Sequence, residues 1–187
     1  LKPCDGSEWL CANKALLLQS GAKGEGELGK KLREVLVQEQ QPVVDACPHV
    51  ADRILKAQGS KAQLVAPALL RQLLKGDVKH HPGLTKCKEW APELLRYCLR
   101  DGQKVDLDGV CLLPLADGCL GMFSASSNSE TGAYDSVYYV ASEHEHRLLS
   151  LRGFSNRLVD ERLPNELVEK LLDGELLNVK RMTAETF

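Results

Sequence analysis

Leu112-Leu113-Pro114-Leu115-Ala116-Asp117-Gly118 is the stretch on which the reading of this chain turns. Leucines around a proline, running into Asp-Gly, read as a buried strand that ends in a tight turn. Leu120 to Ser124 then returns as a second strand, which makes a hairpin. None of these side chains carries chemistry. Leu113, Pro114, Leu115, Asp117 and Gly118 are therefore expected to form a structural motif and not a reactive one.

Outward from the hairpin, the chain changes character near Asp101. Before it, helical patterns dominate. Ser7 to Leu18 reads as a first helix, with Trp9, Leu10, Ala12, Leu16 and Leu17 near helical spacing and Ser7 as its cap. Ser20 to Gly26 breaks that helix, and Leu28, Leu32, Val35 and Leu36 restart the pattern up to Glu39. Pro42-Val43-Val44-Asp45 is short and extended, as in an edge strand. Pro48 opens another helix, with Val50, Ile54 and Leu55 expected inward and Gly59 as the stop. Leu64 to Lys75 and the helix from Pro92 to Gly102 complete this part. After Asp101 come the hairpin, a strand at Val137-Tyr138-Tyr139-Val140, short helices at 143–151 and 163–172, and a closing strand at 176–179. The fold class is thus α+β: mainly helical over 1–102, then a small, mostly antiparallel sheet with short helices over 103–187. The whole reads as a single domain without internal repeats.

Composition narrows the partners. With 43% hydrophobic and 27% charged residues, the 187-residue chain is ordinary for a folded domain. A net charge of -2 gives no attraction for nucleic acid or anionic membranes, and 5% aromatics are too few for base-stacking platforms. No apolar run is long enough to span a bilayer. The first residues show neither an initiator Met nor a signal-peptide pattern, so the sequence is expected to be an excerpt of a longer protein. Seven cysteines (Cys4, Cys11, Cys47, Cys87, Cys98, Cys111 and Cys119) are an odd, irregularly spaced set. Several lie in apolar surroundings, which points to a reducing, cytoplasmic setting.

The chemical candidates are each outweighed by a plainer reading. Gly24-Glu25-Gly26-Glu27-Leu28-Gly29 matches G-x-G-x-x-G, a pattern that binds phosphate only when a strand precedes it. A helix is expected there instead, and Glu25 and Glu27 repel phosphate, so the run reads as helix punctuation. In Glu143-His144-Glu145-His146 the two histidines point to different sides of a helix, which reads as a solvated, acid-rich helix start. His80-His81 with Cys87, and Cys47 with His49, fall short of zinc-ligand spacing. Asp106 and Asp108 lack EF-hand spacing and read as solvated turn acids. No nucleophile elbow or P-loop occurs. Trp9 and Trp90 read as core. No catalytic, cofactor-binding or metal-binding residue is expected.

Several segments taken in order resemble the repeat region of sacsin-type giant chaperone proteins. They are the helical stretch from Trp9 to Gly29-Lys30-Lys31-Leu32, then Pro42-Val43-Val44, Pro48-His49-Val50, Leu64 to Arg71, Leu94 to Asp101, the Leu112–Gly118 run, Val137 to Val140, Leu158-Val159-Asp160 and Asn178-Val179. The likeness covers most of the chain. It implies the region that follows a nucleotide-binding ATPase module of the heat-shock-protein-90 type. That module itself is not matched: Glu8 and Asn13 are five apart where it has Glu-x-x-x-Asn, and Asp117-Gly118-Cys119-Leu120-Gly121 is not Asp-x-Gly-x-Gly. The resemblance implies a non-catalytic structural or protein-interaction module of a chaperone scaffold in protein quality control. Its partners would be protein clients or neighbouring modules of the same chain, without nucleic acid or membrane insertion. A cysteine-dependent enzyme or redox sensor, and a zinc-stabilised adaptor, are the alternatives.

Overall fold

The computed structural model describes residues 15–19, 26–86, 88–125, 136–173 and 177–183. Its first element is a strand, β1 (Leu16–Gln19), followed by helix α1 (Gly26–Gln38), β2 (Val43–Ala46), α2 (Pro48–Lys56) and β3 (Gln63–Leu64). The three strands form one parallel sheet in the order β2-β1-β3, with Leu16 opposite both Val43 and Gln63. Leu16 to Leu18 are therefore not the end of a helix, and residues 1–14 of that expected helix lie outside the described residues. The reason is burial on both faces. Leu16 and Leu18 pack with Val43 and with Leu32, Val35 and Leu36 of α1, while Leu17 packs with Val44, Ala46 and Ala51 of α2. A strand covered by helices on both sides is a continuous apolar run, which has no period to distinguish it from a helix.

Two other expectations change for related reasons. The stretch expected as one helix from Leu64 is divided into β3 and α3 (Pro67–Leu73). Pro67 disfavours helical geometry in the residue before it, and Ala66 is accordingly extended, while Val65 donates to the Leu17 carbonyl at 3.0 Å. In α2 the buried residue is Ala51, Ile54 is half-buried, and Val50 and Leu55 are exposed. The small Ala51 side chain is what seats this helix on its narrow sheet.

The rest follows the expected order. Short α4 (Pro82–Lys86) leads to α5 (Ala91–Cys98), which buries Ala91, Leu94, Leu95 and Cys98. The hairpin is β4 (Leu113–Pro114) against β5 (Leu120–Gly121), antiparallel. Next come β6 (Val137–Tyr139), α6 (Glu143–Leu149), α7 (Asn165–Leu172) and β7 (Val179–Arg181). Bridges Leu115–Val159 and Ala125–Leu177 are antiparallel, whereas β6 pairs with β7 in parallel. The fold is α+β. Its largest core cluster runs from Leu16 and Leu36 through Leu94 and Leu113 to Leu167 and Val179, so both parts of the chain share it. Among the described residues, no helix is long and apolar enough to cross a membrane.

Candidate functional site

The hairpin is built by its own turn chemistry. Gly118 donates to the Leu115 carbonyl at 2.9 Å, and the Asp117 carboxylate accepts from the Cys119 amide at 2.8 Å. Gly118 lies at φ 77°, a conformation that a side chain disfavours. Leu113 is fully buried, Leu115 nearly so, and Pro114 is buried. Leu115 closes over Gly121, where an added Cβ would lie 3.2 Å from its side chain. The opposite edge of the hairpin is tied to the 158–160 segment: Ala116 donates to Leu158 and Asp160 donates to Pro114, both at 2.9 Å. All five motif residues thus come together in one element.

That element forms one wall of an open cleft of about 510 Å³. Pro92 at the start of α5 and Leu163-Pro164 before α7 provide the facing apolar walls, and Cys119 is an exposed residue on the hairpin side. Charge is confined to Lys88, Glu89, Glu93, Asp160 and Arg162. Arg162 folds back on Asp160 (Nε to Oδ1 3.0 Å), and this hydrogen-bonded pairing holds the Asp160 carboxyl below its ordinary range.

A second polar cleft of about 580 Å³ lies across the same 160–162 turn. Its buried member is His146, whose Nε2 is 2.9 Å from the Val159 carbonyl and whose Nδ1 is 3.8 Å from Glu161. Glu143 and Glu145 occupy the first turn of α6, as expected, and Ser142 caps the helix. His146 itself is not solvated, because α6 packs it against the 158–161 segment, while His144 is exposed.

One buried guanidinium was not singled out from the sequence. Arg71 in α3 is 1% exposed. It pairs with Asp101 through two hydrogen bonds of 2.9 and 2.8 Å, reaches Asp106 at 3.2 Å and donates to the Cys98 carbonyl. Asp106 is an exposed turn acid, as expected, that also partners the buried guanidinium, and Asp108 accepts from the Ala125 amide at 2.8 Å. The one available signal was the position of Arg71 beside Leu70 and Leu74, on the buried side of α3.

The remaining candidates stay apart. His81 is buried between Glu39 (3.2 Å) and the Lys75 carbonyl (3.0 Å), His80 is exposed, and Cys87 lies outside the described residues. Cys47 and His49 are both exposed. Among the described residues, no group of three His, Cys, Asp or Glu is placed to hold a metal ion. Burial pushes the Cys98 thiol up to about 12 and raises that of Cys111, which disfavours thiolate at both. Trp90 is half-buried against the main core, and Trp9 lies outside the described residues. No family model matches this chain, and neither curated proteins nor solved structures give a match.

Proposed function

We propose that this chain is a non-catalytic structural and protein-interaction module of the kind found in sacsin-type chaperone scaffolds. It would act in cytoplasmic protein quality control, with client segments or a neighbouring module as partner. The observation that carries the reading is the hairpin itself. The Leu112–Gly118 run is consumed in packing and turn formation, and its outer side forms a cleft with proline and leucine walls and a charged rim. Apolar walls with polar groups around them suit a bound polypeptide segment. The high, buried thiols of Cys98 and Cys111 weigh against the cysteine-dependent alternative at those two positions.

The test is light scattering from a heat-denaturing client protein with and without the 187-residue chain. Suppression of aggregation is expected, and Cys119→Arg, which places a bulky charge on an exposed cleft wall, should weaken it severalfold without lowering Tm. No suppression by the wild-type chain would overturn the reading. So would turnover of nucleotide or ester by the chain alone, well above background.

A further inference from the structure

The chain carries a net charge of -2, yet residues 146–159 contain three arginines and no acid. The same stretch concentrates exposed apolar surface. Six large hydrophobic side chains are exposed among the described residues, and Leu148 (50%), Leu151 (77%) and Phe154 (43%) are three of them. Scattered singly, such residues need no explanation, but three within seven positions mark a contact surface. None of the three belongs to a core cluster of the described residues.

Their exposure follows from the seating of α6. The helix turns His146 and Leu149 inward, where His146 meets the Val159 carbonyl at 2.9 Å and Leu149 packs with Val140 and Leu158. Leu148 and Leu151, three apart, share the opposite side. At about 3.6 residues per turn, the order around that side is Arg147, Leu151, Leu148, Arg152. The helical path widens into a π turn over Ser150–Phe154 and reverses at Gly153, φ 90°. Phe154 extends the apolar surface past that reversal, and the Ser155 hydroxyl closes the turn on the Ser150 carbonyl at 3.3 Å. The result is a short apolar ridge between two cations on a packed base.

The charges of the ridge are unspent. Arg147 and Arg152 are exposed, and neither forms an ion pair among the described residues. The acids of this region sit elsewhere: Glu143 and Glu145 in the first turn of α6, Glu161 beside His146, and Asp160 bonded to Arg162. Arg147 also borders the polar cleft with Glu143 and Glu161, so Arg152 is the ridge's own cation. Arg157 is half-buried over the Tyr138 ring and is not part of the ridge.

Area and charge together select the occupant. At these exposures the three side chains offer about 300 Å² of apolar surface, well short of the roughly 800 Å² per partner in a stable pair of folded proteins. A second copy of this chain is therefore a poor fit, and ridge against ridge would set arginine against arginine. An anionic bilayer is opposed by the exposed Glu143, Glu145 and Glu161 and by the net negative charge. We infer that the ridge docks an acidic amphipathic helix of a partner protein. The apolar stripe of that helix packs along Leu148 and Leu151 with Phe154 at its end, and its carboxylates meet Arg147 and Arg152, as flanking charges do between paired helices. None of the ridge residues lines the hairpin cleft, so this surface is independent of that one.

The test titrates the 187-residue chain with labelled peptides of about three helical turns, read by anisotropy and amide chemical shifts. One peptide has leucines on one face and glutamates on the other; a second has lysines in place of the glutamates. The acidic peptide should bind saturably, with shifts centred on Leu148, Leu151 and Arg152, and the lysine peptide about tenfold more weakly or less. Leu151→Ser and Arg152→Glu should each weaken the acidic peptide by about tenfold with Tm unchanged, since both side chains are exposed. Arg152→Glu should also narrow the gap between the two peptides, whereas Cys119→Arg in the hairpin cleft should change nothing. Absence of saturable binding at millimolar acidic peptide would overturn the inference, and so would equal binding of both peptides. Loss of binding in Cys119→Arg would move the site to the hairpin cleft and overturn it too. Tighter binding to phosphatidylserine vesicles, or self-association that Leu151→Ser abolishes, would assign the ridge to a membrane or to a second copy and likewise overturn it.

Discussion

Arg71 gathers three elements at one guanidinium: α3, which carries it, the turn after α5 that presents Asp101, and the 105–107 turn that presents Asp106. A planar, bidentate Arg–carboxylate pair fixes direction as well as distance, which a lysine would not do. The hydrogen bond from Arg71 is the main cause that holds the Asp101 carboxyl below its ordinary range. A carboxylate with a depressed folded pKa contributes stability above its unfolded value of about 3.9 and loses that contribution as pH falls through the folded value. Asp101→Asn should therefore be less stable than wild type at pH 7, and the difference should shrink steadily as the pH is lowered below about 4. Urea unfolding of both proteins across pH 2.5 to 7, at roughly half-unit steps, checks this. A gap that is constant with pH would show that the pair acts only by shape.

At the scale of elements, two glycines separate conformational need from open space. Gly118 has φ 77°, and the β4–β5 hairpin depends on that turn. Gly29 is helical and faces an opening. Replacing each by alanine should therefore act in opposite directions. Gly118→Ala should cost about 1 kcal/mol, since an L side chain resists the left-handed region. Gly29→Ala should gain about 0.5–1 kcal/mol, because alanine loses less backbone freedom in a helix. Paired denaturant curves read both effects directly.

At the scale of the molecule, the largest core cluster joins both parts of the chain. The parallel sheet near the start of the described residues and α7 near their end both feed it, with α5 and the hairpin between them. Shared burial of this kind makes unfolding cooperative. Leu36→Ala in α1 and Leu167→Ala in α7 both remove fully buried side chains. Each should destabilise the chain by about 2–5 kcal/mol while leaving a single transition with an unchanged m-value. Proteolysis and circular dichroism midpoints should coincide in both variants. A variant that unfolds in two steps would show that the two parts are separate bodies.

How much of this was legible in the sequence varies by element for physical reasons. The hairpin was readable because Asp117 and Gly118 make their turn from local chemistry, and α5 because Pro92 and its inward leucines carry a local period. His146 was misread as solvated, and Arg71 was not singled out, because burial of a polar side chain depends on partners distant in sequence. By itself the sequence determined an α+β chain with a leucine-rich core and an Asp-Gly hairpin. Only the tertiary structure decided that Leu16–Gln19 is a central strand, because packing on both faces, from α1 and α2, overrides a run of leucines that has no periodicity of its own.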